Sequence, residues 1–400
     1  MKILIVSQYF APEKFKINDL AKSLIERGHH IEILTGLPNY PEGKFYKGYN
    51  FWNKSKEIKG NLIIHRARIF PRGSSSNINL SINYISFVMF GIFKLFFIRS
   101  KFDKVFTFAP SPITVGIIGI VAAKIYGAKS YLWVQDLWPE SLTSARNIRN
   151  KSFLKFLSVI TRFIYRFTDI ILIQSQQFEN FIKSQGINSI KIKYLPNYAE
   201  DFYTNKASIK KRLSNSKFNL MFAGNIGKPQ NLELLVEAAK ALMQHNLSIK
   251  FIIIGEGNNK NFIQSYASKL KVENYFSFIN SKDPKEMPGF FASADCLYLS
   301  LKKSPIFSVT IPSKLQTYMA SGLPIIGSID GVSSDIIESS KSGFSSPSED
   351  LDGLIKNILK MNNLSLESRE IMGINALNYY NLHFSKQVVL DNLEQILKND

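Results

Sequence analysis

Residues 1–35 read MKILIVSQYFAPEKFKINDLAKSLIERGHHIEILT, and this stretch decides the fold class. An apolar run at 2–10 precedes a helical segment at 18–27, and a second apolar run follows at 31–35. Continuous apolar runs are typical of parallel strands that helices cover on both faces. The stretch therefore predicts a strand, a crossover helix and a second parallel strand, which is the repeating unit of a doubly wound sheet.

The same alternation of strands and helices continues along the chain and occurs twice. Further strands are predicted at 62–66, 104–108, 130–135 and 170–173, and a second series at 220–223, 249–254, 275–279, 296–301 and 324–327. Helices are predicted between them, for example at 231–244 and 313–320. Two successive runs of this kind predict an α/β protein with two doubly wound, Rossmann-like domains.

The predicted boundary between the domains is the polar stretch 196–216, which precedes a new buried strand. We expect an N-terminal domain over 1–200 and a C-terminal domain over 201–383. A final helix, 384–400, is expected to pack back on the first domain. In paired folds of this kind the ligand cleft lies between the domains, at the carboxyl ends of the strands, so residues just after strands are the functional candidates.

Composition and charge narrow the class of partner. The chain has 400 residues, 45% of them hydrophobic and 20% charged, which is typical of globular domains. Its one cysteine, Cys296, excludes a disulfide framework and a cysteine-based zinc site.

Residues 1–200 carry 28 Lys and Arg against 12 Asp and Glu, whereas the second half is nearly neutral. This asymmetry predicts an anionic membrane surface as partner, with a lysine-rich coding bias as the alternative. No zinc-finger, RRM or KH signature indicates nucleic acid.

The segment 81–99, SINYISFVMFGIFKLFFIR, is almost wholly apolar and ends in a basic residue. Its length suffices for a membrane span, but Lys94 counts against a centred one, and a span would put parts of one sheet on opposite sides of a bilayer. An ordinary core helix is the other alternative. We favour a helix partly buried in the first domain and partly inserted in the membrane interface. The basic, aromatic helix at 151–167 is a candidate for the same surface.

Two loops that follow the first strands are candidates for binding an acceptor. The first contains Glu13 and leads into a helix at Asn18, and the second is dense in proline, glycine and asparagine and contains Asn39 and Tyr40. Tyrosine suits contact with a sugar or a lipid. The structural alternative is that Asn18 or Asp19 serves as the N-cap of the helix.

Asp136 lies in the segment WVQDLWPES, after a predicted strand and between two of the three tryptophans of the protein. An aspartate at the carboxyl end of a strand, in a cleft, is placed to orient a substrate hydroxyl or to accept its proton. The structural alternative is that Asp136 caps the helix that Pro139 begins.

Two segments of the second domain are candidates for binding phosphate. The strand-to-helix turn with Gly224, Asn225 and Lys228 has glycines that let backbone N–H groups approach an anion. Its Gly-x-x-Gly spacing is neither the dinucleotide fingerprint nor a P-loop.

The second of these segments is a helix start at Pro312, Ser313 and Lys314, where the helix N-terminus and a lysine make a site for a diphosphate. No metal site is predicted. The segment Asp350-Leu351-Asp352 matches the Asp-x-Asp of metal-dependent sugar transferases, but complementarity to a helix dipole explains it.

Four segments together resemble the GT-B glycosyltransferases of family 4, and the resemblance covers nearly the whole chain. These segments are SQYFAPEKFKINDLAKSLIERGHHIEILTGLPNYPEGK, WVQDLWPES, FAGNIGKPQNLELLVEAA and SADCLYLSLKKSPIFSVTIPSKLQTYMASGLPIIG. They look closest to the bacterial surface-polysaccharide subgroup that includes the L-fucosamine (N-acetyl-L-fucosamine) transferases of O-antigen and capsule clusters. The resemblance implies two domains facing across a cleft, with a nucleotide-sugar donor on the C-terminal one and the acceptor on the other. It further implies retention of anomeric configuration and no metal ion.

The resemblance also assigns roles to single residues. The residues matched to positions beneath or beside the donor diphosphate are Gly224, Asn225, Lys228, Pro312, Ser313 and Lys314. Many family members carry two glutamates eight residues apart, and Val309 and Thr317 stand in their places here, so Gln316 or Thr317 is expected to hydrogen-bond the ribose instead. Many relatives place a catalytic histidine after the strand ending near Val134, where Asp136 is the nearest candidate.

The expected function is transfer of a hexosyl or N-acetylamino-deoxyhexosyl unit from a UDP-sugar to an undecaprenyl-diphosphate-linked acceptor. The expected location is the inner face of the bacterial inner membrane, where the enzyme binds peripherally from the cytoplasm. Two alternatives remain open at this stage. A UDP-sugar 2-epimerase shares the architecture but does not need the apolar 81–99 surface, and a non-catalytic assembly partner is compatible with the missing glutamates.

Overall fold

The computed structural model describes residues 1–74, 76–146, 148, 150–204, 218–245 and 247–399. The chain divides into two compact units. Unit 1 comprises Met1–Thr143, Ile148–Leu195 and Leu393–Asp400, and unit 2 comprises Ser144–Asn147 and Pro196–Asn392. The main crossing from unit 1 to unit 2 thus lies at Leu195, and the return lies within the last helix rather than at its start.

Unit 1 contains an eight-stranded sheet in the order β3-β4-β2-β1-β5-β6-β7-β8. Its strands are β1 (Lys2–Val6), β2 (His30–Gly36), β3 (Lys56–Lys59), β4 (Leu62–Ala67), β5 (Lys104–Ala109), β6 (Lys129–Val134), β7 (Ile170–Ile173) and β8 (Ile192–Tyr194). All neighbours pair in parallel except β3, which is antiparallel to β4. The α-helices of this part of the chain are α1 (Lys16–Glu26), α2 (Asn77–Leu95), α3 (Val115–Tyr126), α4 (Glu140–Arg146), α5 (Lys151–Phe167) and α6 (Phe178–Ser184).

Unit 2 contains a six-stranded, all-parallel sheet in the order β11-β10-β9-β12-β13-β14. Its strands are β9 (Phe218–Ala223), β10 (Ile249–Ile254), β11 (Phe276–Ile279), β12 (Cys296–Ser300), β13 (Ile325–Ser328) and β14 (Gly343–Ser346). The helices that follow are α7 (Leu232–Leu242), α8 (Lys260–Lys269), α9 (Met287–Phe291), α10 (Pro305–Ser308), α11 (Ser313–Ala320), α12 (Val332–Ser339), α13 (Leu351–Asn363), α14 (Leu366–His383) and α15 (Lys386–Asn399).

Burial of both faces explains why the central strands could be read from the sequence. Ile3, Leu4, Ile5 and Val6 of β1 are all fully buried between β2 and β5, so no position of the strand needs a polar residue. The predicted alternation and two Rossmann-like domains are confirmed. Each of the eleven predicted strands has a counterpart.

Three strands that the sequence did not indicate lie at sheet edges. β3 reads KEIK and is largely exposed, β8 has three residues, and β14 reads GFSS. Edge strands are half solvated and short, so they lack the continuous apolar run that marks an interior strand. In β14, a Cβ added to Gly343 would lie 1.8 Å from the carbonyl oxygen of Ile325. That glycine is therefore explained by close backbone approach rather than by a loop.

The start of α1 differs from the prediction. The helix begins at Lys16, with Phe15 at the N-cap position and no side-chain cap, so neither Asn18 nor Asp19 is the N-cap. Both residues lie in the first turn. The predicted helical start was two residues late because capping-type residues occur here inside the helix, where Asn18 serves the preceding loop instead.

The final helix returns to unit 1 in its last turns. The Glu394 carboxylate lies 3.1 Å from Nε2 of His29 and 3.8 Å from the Arg27 guanidinium, both at the α1–β2 turn. Leu393 and Leu397 are fully buried. Packing of the C-terminal residues on the first domain therefore begins near Leu393, nine residues after the predicted start of the segment.

A buried carboxylate ties β2 to three neighbouring segments of unit 1. Glu32 contacts Nζ of Lys2 at 2.9 Å and Nε2 of His65 at 2.6 Å, and it accepts a hydrogen bond from the Ser100 hydroxyl. Desolvation acts to raise the pKa of Glu32, but the hydrogen bonds from His65, Ser100 and Lys2 outweigh it and lower the pKa to about 2.

Glu32 should therefore make folding depend on pH. Because its folded pKa lies below the ordinary value of 4.5, its contribution is complete above pH 4.5 and is lost as the pH falls toward 2. We expect Glu32→Gln to lower the free energy of unfolding at pH 7 and the deficit to shrink below pH 4.5. Urea unfolding across this range measures it. Glu179→Gln, which removes an exposed pair with Lys183, is the control and should change little. A deficit that is constant with pH would contradict the assignment.

Candidate functional site

Glu13 lies at the centre of the loops that follow β1 and β2. The residue is 1% exposed, and one carboxylate oxygen accepts the backbone N–H groups of Asn39 and Tyr40, each at 2.8 Å. The other oxygen accepts the N–H of Phe10 at 3.3 Å. Desolvation raises the pKa of the carboxyl, and these hydrogen bonds oppose the rise. Glu13 thus fixes the two loops to each other, and it is too buried to contact an acceptor as predicted.

The two predicted asparagines also shape these loops. Asn18 donates to the Glu13 carbonyl at 2.6 Å and accepts the N–H of Ala11 at 3.1 Å. Asn39 is 1% exposed and accepts the N–H of Arg72 at 3.1 Å. Since both side chains are used in this way, the loops reach a defined shape without regular secondary structure.

Tyr40 is the predicted acceptor residue with the most exposed side chain, and it belongs to an aromatic cluster. Tyr9 stacks on Phe15 at 4.7 Å between ring centroids, and Tyr40 lies 5.3 Å from Phe15 and 5.7 Å from Tyr9. The guanidinium of Arg72 lies 5.0 Å from the Tyr40 ring centroid. A partly exposed aromatic surface next to a guanidinium is suited to a polar ligand with an apolar face, such as a sugar.

Tyr9 and Arg72 were not identified as candidates from the sequence. Tyr9 follows β1 within the loop that was examined, so its position was the available signal. Arg72 lies between β4 and α2 in the triplet Pro-Arg-Gly, and nothing local distinguishes it from the other basic residues of the first half. Only the fold brings it to the two loops.

Asp136 lies two residues past the end of β6 and is partly exposed. In the described part of the chain its carboxylate makes no hydrogen bond or ion pair, and α4 begins only at Glu140, so the capping alternative is wrong. Desolvation raises the pKa of Asp136 to about 7. A carboxyl that titrates near neutrality and has no protein partner is suited to exchange a proton with a ligand.

Other polar groups without partners lie just beyond the strands of the same sheet. Within the described residues, the buried atoms Oε1 of Gln8, Nε1 of Trp138, Oε1 of Gln174 and Oγ of Ser175 have no hydrogen-bond partner. Gln174 and Ser175 directly follow β7 and are 1% and 0% exposed. Buried polar atoms are normally paired, so their concentration at this edge favours it as a ligand site. The polar run QSQQ after IILI was the sequence signal for Gln174, and it was overlooked.

In unit 2 the turns after β9 and β10 pack backbone against backbone. Gly224 has φ 141° and Gly255 has φ 150°. A Cβ on Gly255 would lie 1.9 Å from the carbonyl oxygen of Gly224, and one on Gly257 would lie 2.2 Å from that of Ile226. The two turns therefore form one surface that only glycine permits, with Gly224 and Asn225 exposed on it.

The structure brings Lys314 to this surface. The sequence predicted that Lys314 and the Gly224 turn bind the same diphosphate. A Cβ on Gly224 would lie 3.1 Å from Cε of Lys314, and Nζ of Lys314 is 4.1 Å from the ring centroid of Phe222. Nζ is buried without a hydrogen-bond partner, and desolvation lowers the pKa of the ammonium to about 7. Pro312 and Ser313 begin α11 next to it in sequence. A helix N-terminus offers free backbone N–H groups, and the unpaired lysine adds positive charge, so together they favour binding of an anion.

The remaining predicted donor residues differ in accessibility. Lys228 is exposed at the end of the Gly224 turn. Gln316 is 0% exposed, and within the described residues neither its amide nitrogen nor its amide oxygen has a hydrogen-bond partner. Thr317 is partly exposed and donates to the Ser313 carbonyl at 3.1 Å. The predicted ribose contact, by Gln316 or Thr317, stays a prediction.

The Asp-x-Asp segment has a structural role. Asp350 is the N-cap of α13 and accepts the N–H of Gly353 at 3.0 Å, and Asp352 lies in the first turn of that helix. The described residues contain no group of three or more His, Cys, Asp or Glu side chains placed to hold a metal ion.

Comparison with known proteins gives a family model and related structures. Residues 204–379 match the family model described as Glycosyl transferases group 1. The Escherichia coli (strain K12) protein WcaI, which carries the name of a colanic acid biosynthesis glycosyl transferase, is 23% identical over 338 residues, which are 80% of this chain and 82% of WcaI.

Solved structures extend the similarity to both units. Anabaena HepE, solved in complex with UDP and glucose, superimposes with a TM-score of 0.69 at 14% identity and 100% coverage of both chains. WaaG, a glycosyltransferase involved in lipopolysaccharide biosynthesis, gives a TM-score of 0.64 at 15% identity and 95% coverage of both chains. These structures establish the fold. The family match goes against the epimerase and the non-catalytic alternatives. The chain thus has the GT-B fold seen in glycosyltransferases, and its residues 204–379 match the glycosyl transferases group 1 family model.

Proposed function

We propose that the protein transfers a hexosyl unit, of the N-acetylamino-deoxy type, from a UDP-sugar to an undecaprenyl-diphosphate-linked acceptor in bacterial O-antigen or capsule assembly. The observation that carries the proposal is the unpaired Lys314 ammonium beneath the exposed Gly224 turn. Two comparisons support it: HepE binds UDP and glucose, and WcaI is named for colanic acid biosynthesis. The L-fucosamine subgroup stays a prediction from the resemblance.

The donor diphosphate fits the charge of the unit 2 site. Lys314 is largely withdrawn from water, so an arriving phosphate favours its charged form and gains a close, poorly screened interaction. The N-terminus of α11 and the exposed Lys228 add positive charge at the turn. As the glycosidic bond breaks, negative charge grows on the UDP leaving group, and these groups stabilise it without a metal ion.

The acceptor hydroxyl fits the carboxyl edge of unit 1. Asp136 has a pKa of about 7, so its ionised form orients the attacking hydroxyl or accepts its proton at neutral pH. The Tyr40 and Arg72 surface contributes sugar contact on the same unit. Attack on the oxocarbenium-like donor carbon from the face of the leaving group, with retention of configuration, is what the family resemblance implies.

The amphipathic character of α2 supports peripheral attachment to the inner membrane face. This helix is long and apolar enough to cross a membrane, and it is the only such helix among the described residues. One face packs in unit 1 and includes the fully buried Asn83, which accepts a hydrogen bond from Gln8 at 2.7 Å. The opposite face is exposed and apolar, at Ile78, Ile82, Ile85, Met89 and Phe93. A helix tied into its domain through buried polar groups favours interfacial insertion over a span.

Lys314→Ala should weaken UDP binding about tenfold to a hundredfold, because hydrogen bonds to charged groups contribute roughly 1.5–3 kcal/mol. Titration calorimetry with UDP measures the loss. Lys356→Ala, which removes an exposed lysine from α13, is the matched control and should bind as wild type does. Unchanged UDP affinity in Lys314→Ala would exclude this lysine from the donor site.

Asp136→Asn should retain UDP affinity and lose transfer activity by about a hundredfold to ten-thousandfold, which is the usual contribution of general acid–base catalysis. The substitution keeps the shape of the side chain and removes its proton-accepting form. Transfer is measured at saturating donor with a lipid-linked acceptor. Loss of UDP affinity combined with normal turnover would show that Asp136 belongs to donor binding instead.

Replacing Phe93, Phe96 and Phe97 by serine should reduce binding to anionic vesicles without unfolding the protein, since all three side chains are more than 60% exposed. Flotation across a salt series, with circular dichroism, measures both effects. The control replaces Ile190, Phe262 and Leu382 by serine, since these side chains lie elsewhere and are between 53% and 72% exposed. If the wild type floats with the vesicles to the same extent at every salt concentration, the helix spans the membrane. If the variant unfolds, the helix belongs to the core of unit 1.

A further inference from the structure

A groove of about 240 Å³ lies between the C-terminal half of α2 and the β3–β4 edge of unit 1. It is separate from the residues assigned above to donor and acceptor. The side chains that line it are mostly cationic or aromatic, and they include Arg68, Lys94, Phe90, Phe93 and Phe97.

The groove is lined by Arg66, which is paired with Glu57, and by Arg68 and Lys94, and Lys56 lies close by. Desolvation lowers the pKa of Lys94, and the neighbouring charges of Lys56 and Arg68 lower it further. Across the described residues, none of these three cations takes part in an ion pair. Lys56 and Arg68 are exposed, so water screens part of their repulsion, and an anion that binds between them and Lys94 would remove the rest.

The carboxylate nearest to these cations in sequence is already engaged. Glu57 binds Nε of Arg66 at 2.7 Å and accepts hydrogen bonds from the Tyr49 hydroxyl at 3.1 and 3.2 Å. Arg68 instead rests on aromatic rings, 4.7 Å from the Trp52 centroid and 5.3 Å from that of Phe51. The cation–π contacts orient its guanidinium but leave its charge unneutralised.

The aromatic part of the groove continues onto the exposed face of α2. Phe93 and Phe97 contact each other at 5.0 Å and are 62% and 63% exposed. Phe90 packs on Phe51 at 5.8 Å at the inner end. An inorganic anion would use the cations alone, whereas an anion that carries an acyl chain also covers the phenylalanines.

We propose that this groove binds the phosphate head group of an anionic phospholipid, with an acyl chain lying along Phe90, Phe93 and Phe97. The proposal rests on the peripheral membrane attachment proposed above and deepens it. Attachment then depends on one defined head-group site, in addition to diffuse attraction of about 1 kcal/mol for each basic residue near the surface. Arg68 and Lys94, which line the groove, contact the phosphate, and the nearby Lys56 adds positive charge.

The test compares two triple variants of the full chain that remove the same charge. The groove variant is Lys56→Gln with Arg68→Gln and Lys94→Gln, and the control is Lys151→Gln with Lys155→Gln and Arg162→Gln on the exposed face of α5. The probe is soluble dihexanoyl-phosphatidylglycerol, followed by calorimetry, and then phosphatidylcholine vesicles with and without phosphatidylglycerol. Circular dichroism and UDP affinity verify that both variants are folded.

We expect the groove variant to lose affinity for the soluble lipid by about tenfold to a hundredfold, as for hydrogen bonds to charged groups, and the control to keep it. On phosphatidylglycerol vesicles the groove variant should lose more than the control. Equal losses in both variants would reduce the site to diffuse charge and overturn the proposal. Inorganic phosphate that binds as tightly as the lipid, or farnesyl phosphate that binds more tightly, would also overturn it.

Failure of the head-group site is distinguishable from failure of the proposed function. If the groove variant binds vesicles as the control does while Phe93, Phe96 and Phe97 are still required, membrane attachment stands and only the head-group site is wrong. Transfer activity and UDP affinity test the catalytic proposal independently, because no groove residue belongs to the donor or acceptor machinery.

Discussion

Burial of both faces of a parallel sheet is the constraint on which the rest of this structure depends. Strands such as β1 and β9 have no exposed face, so they carry no functional side chain along their length. Polar chemistry is therefore confined to the loops at the carboxyl ends, where backbone groups leave the ladder. The Glu13 network in unit 1 and the paired glycine turns in unit 2 are two solutions to the same problem, which is to give a loop one shape at such an edge.

Each unit contains an ionisable group whose charged form is disfavoured by desolvation, an acid in unit 1 and a base in unit 2. Asp136 and Lys314 are both desolvated and without partners in the described chain, and the pKa of each moves to about 7 from opposite sides. Such groups reduce the stability of the folded chain, since a buried charge without a partner is unfavourable. Within each unit, a bound ligand group removes the penalty: a hydroxyl at Asp136 in unit 1, or a phosphate at Lys314 in unit 2. This arrangement is typical of sites that bind charged or reacting groups.

Helix α2 connects the loops that follow β1 and β2 to the surface of unit 1. Its buried face carries Asn83, which donates to the Phe70 carbonyl at 2.6 Å and contacts Gln8 and Asn39. Its exposed face carries the phenylalanines and borders the cationic groove. Asn83 and the backbone N–H of Arg72 both donate to the side-chain oxygen of Asn39, so hydrogen bonds connect this helix to the loops that hold Tyr40 and Arg72.

The sequence by itself determined the two-domain fold. Interior strands such as β1 and β9 need continuous apolar runs, and crossover helices need apolar residues at a helical spacing. It also located the Gly224 turn and the helix start at Pro312, which are the candidates for binding phosphate, since glycine and a helix N-terminus leave a local signature. Edge strands such as β3 and β14 left none.

Only the tertiary structure decided which polar residues are available to a ligand. Glu13, Asn39 and Gln316 have the right residue types, yet the fold buries them among backbone groups or helices. Arg72 and Lys94 look like other basic residues until long-range packing brings them to an aromatic surface. Accessibility and pairing depend on contacts between residues distant in sequence, so no local pattern records them.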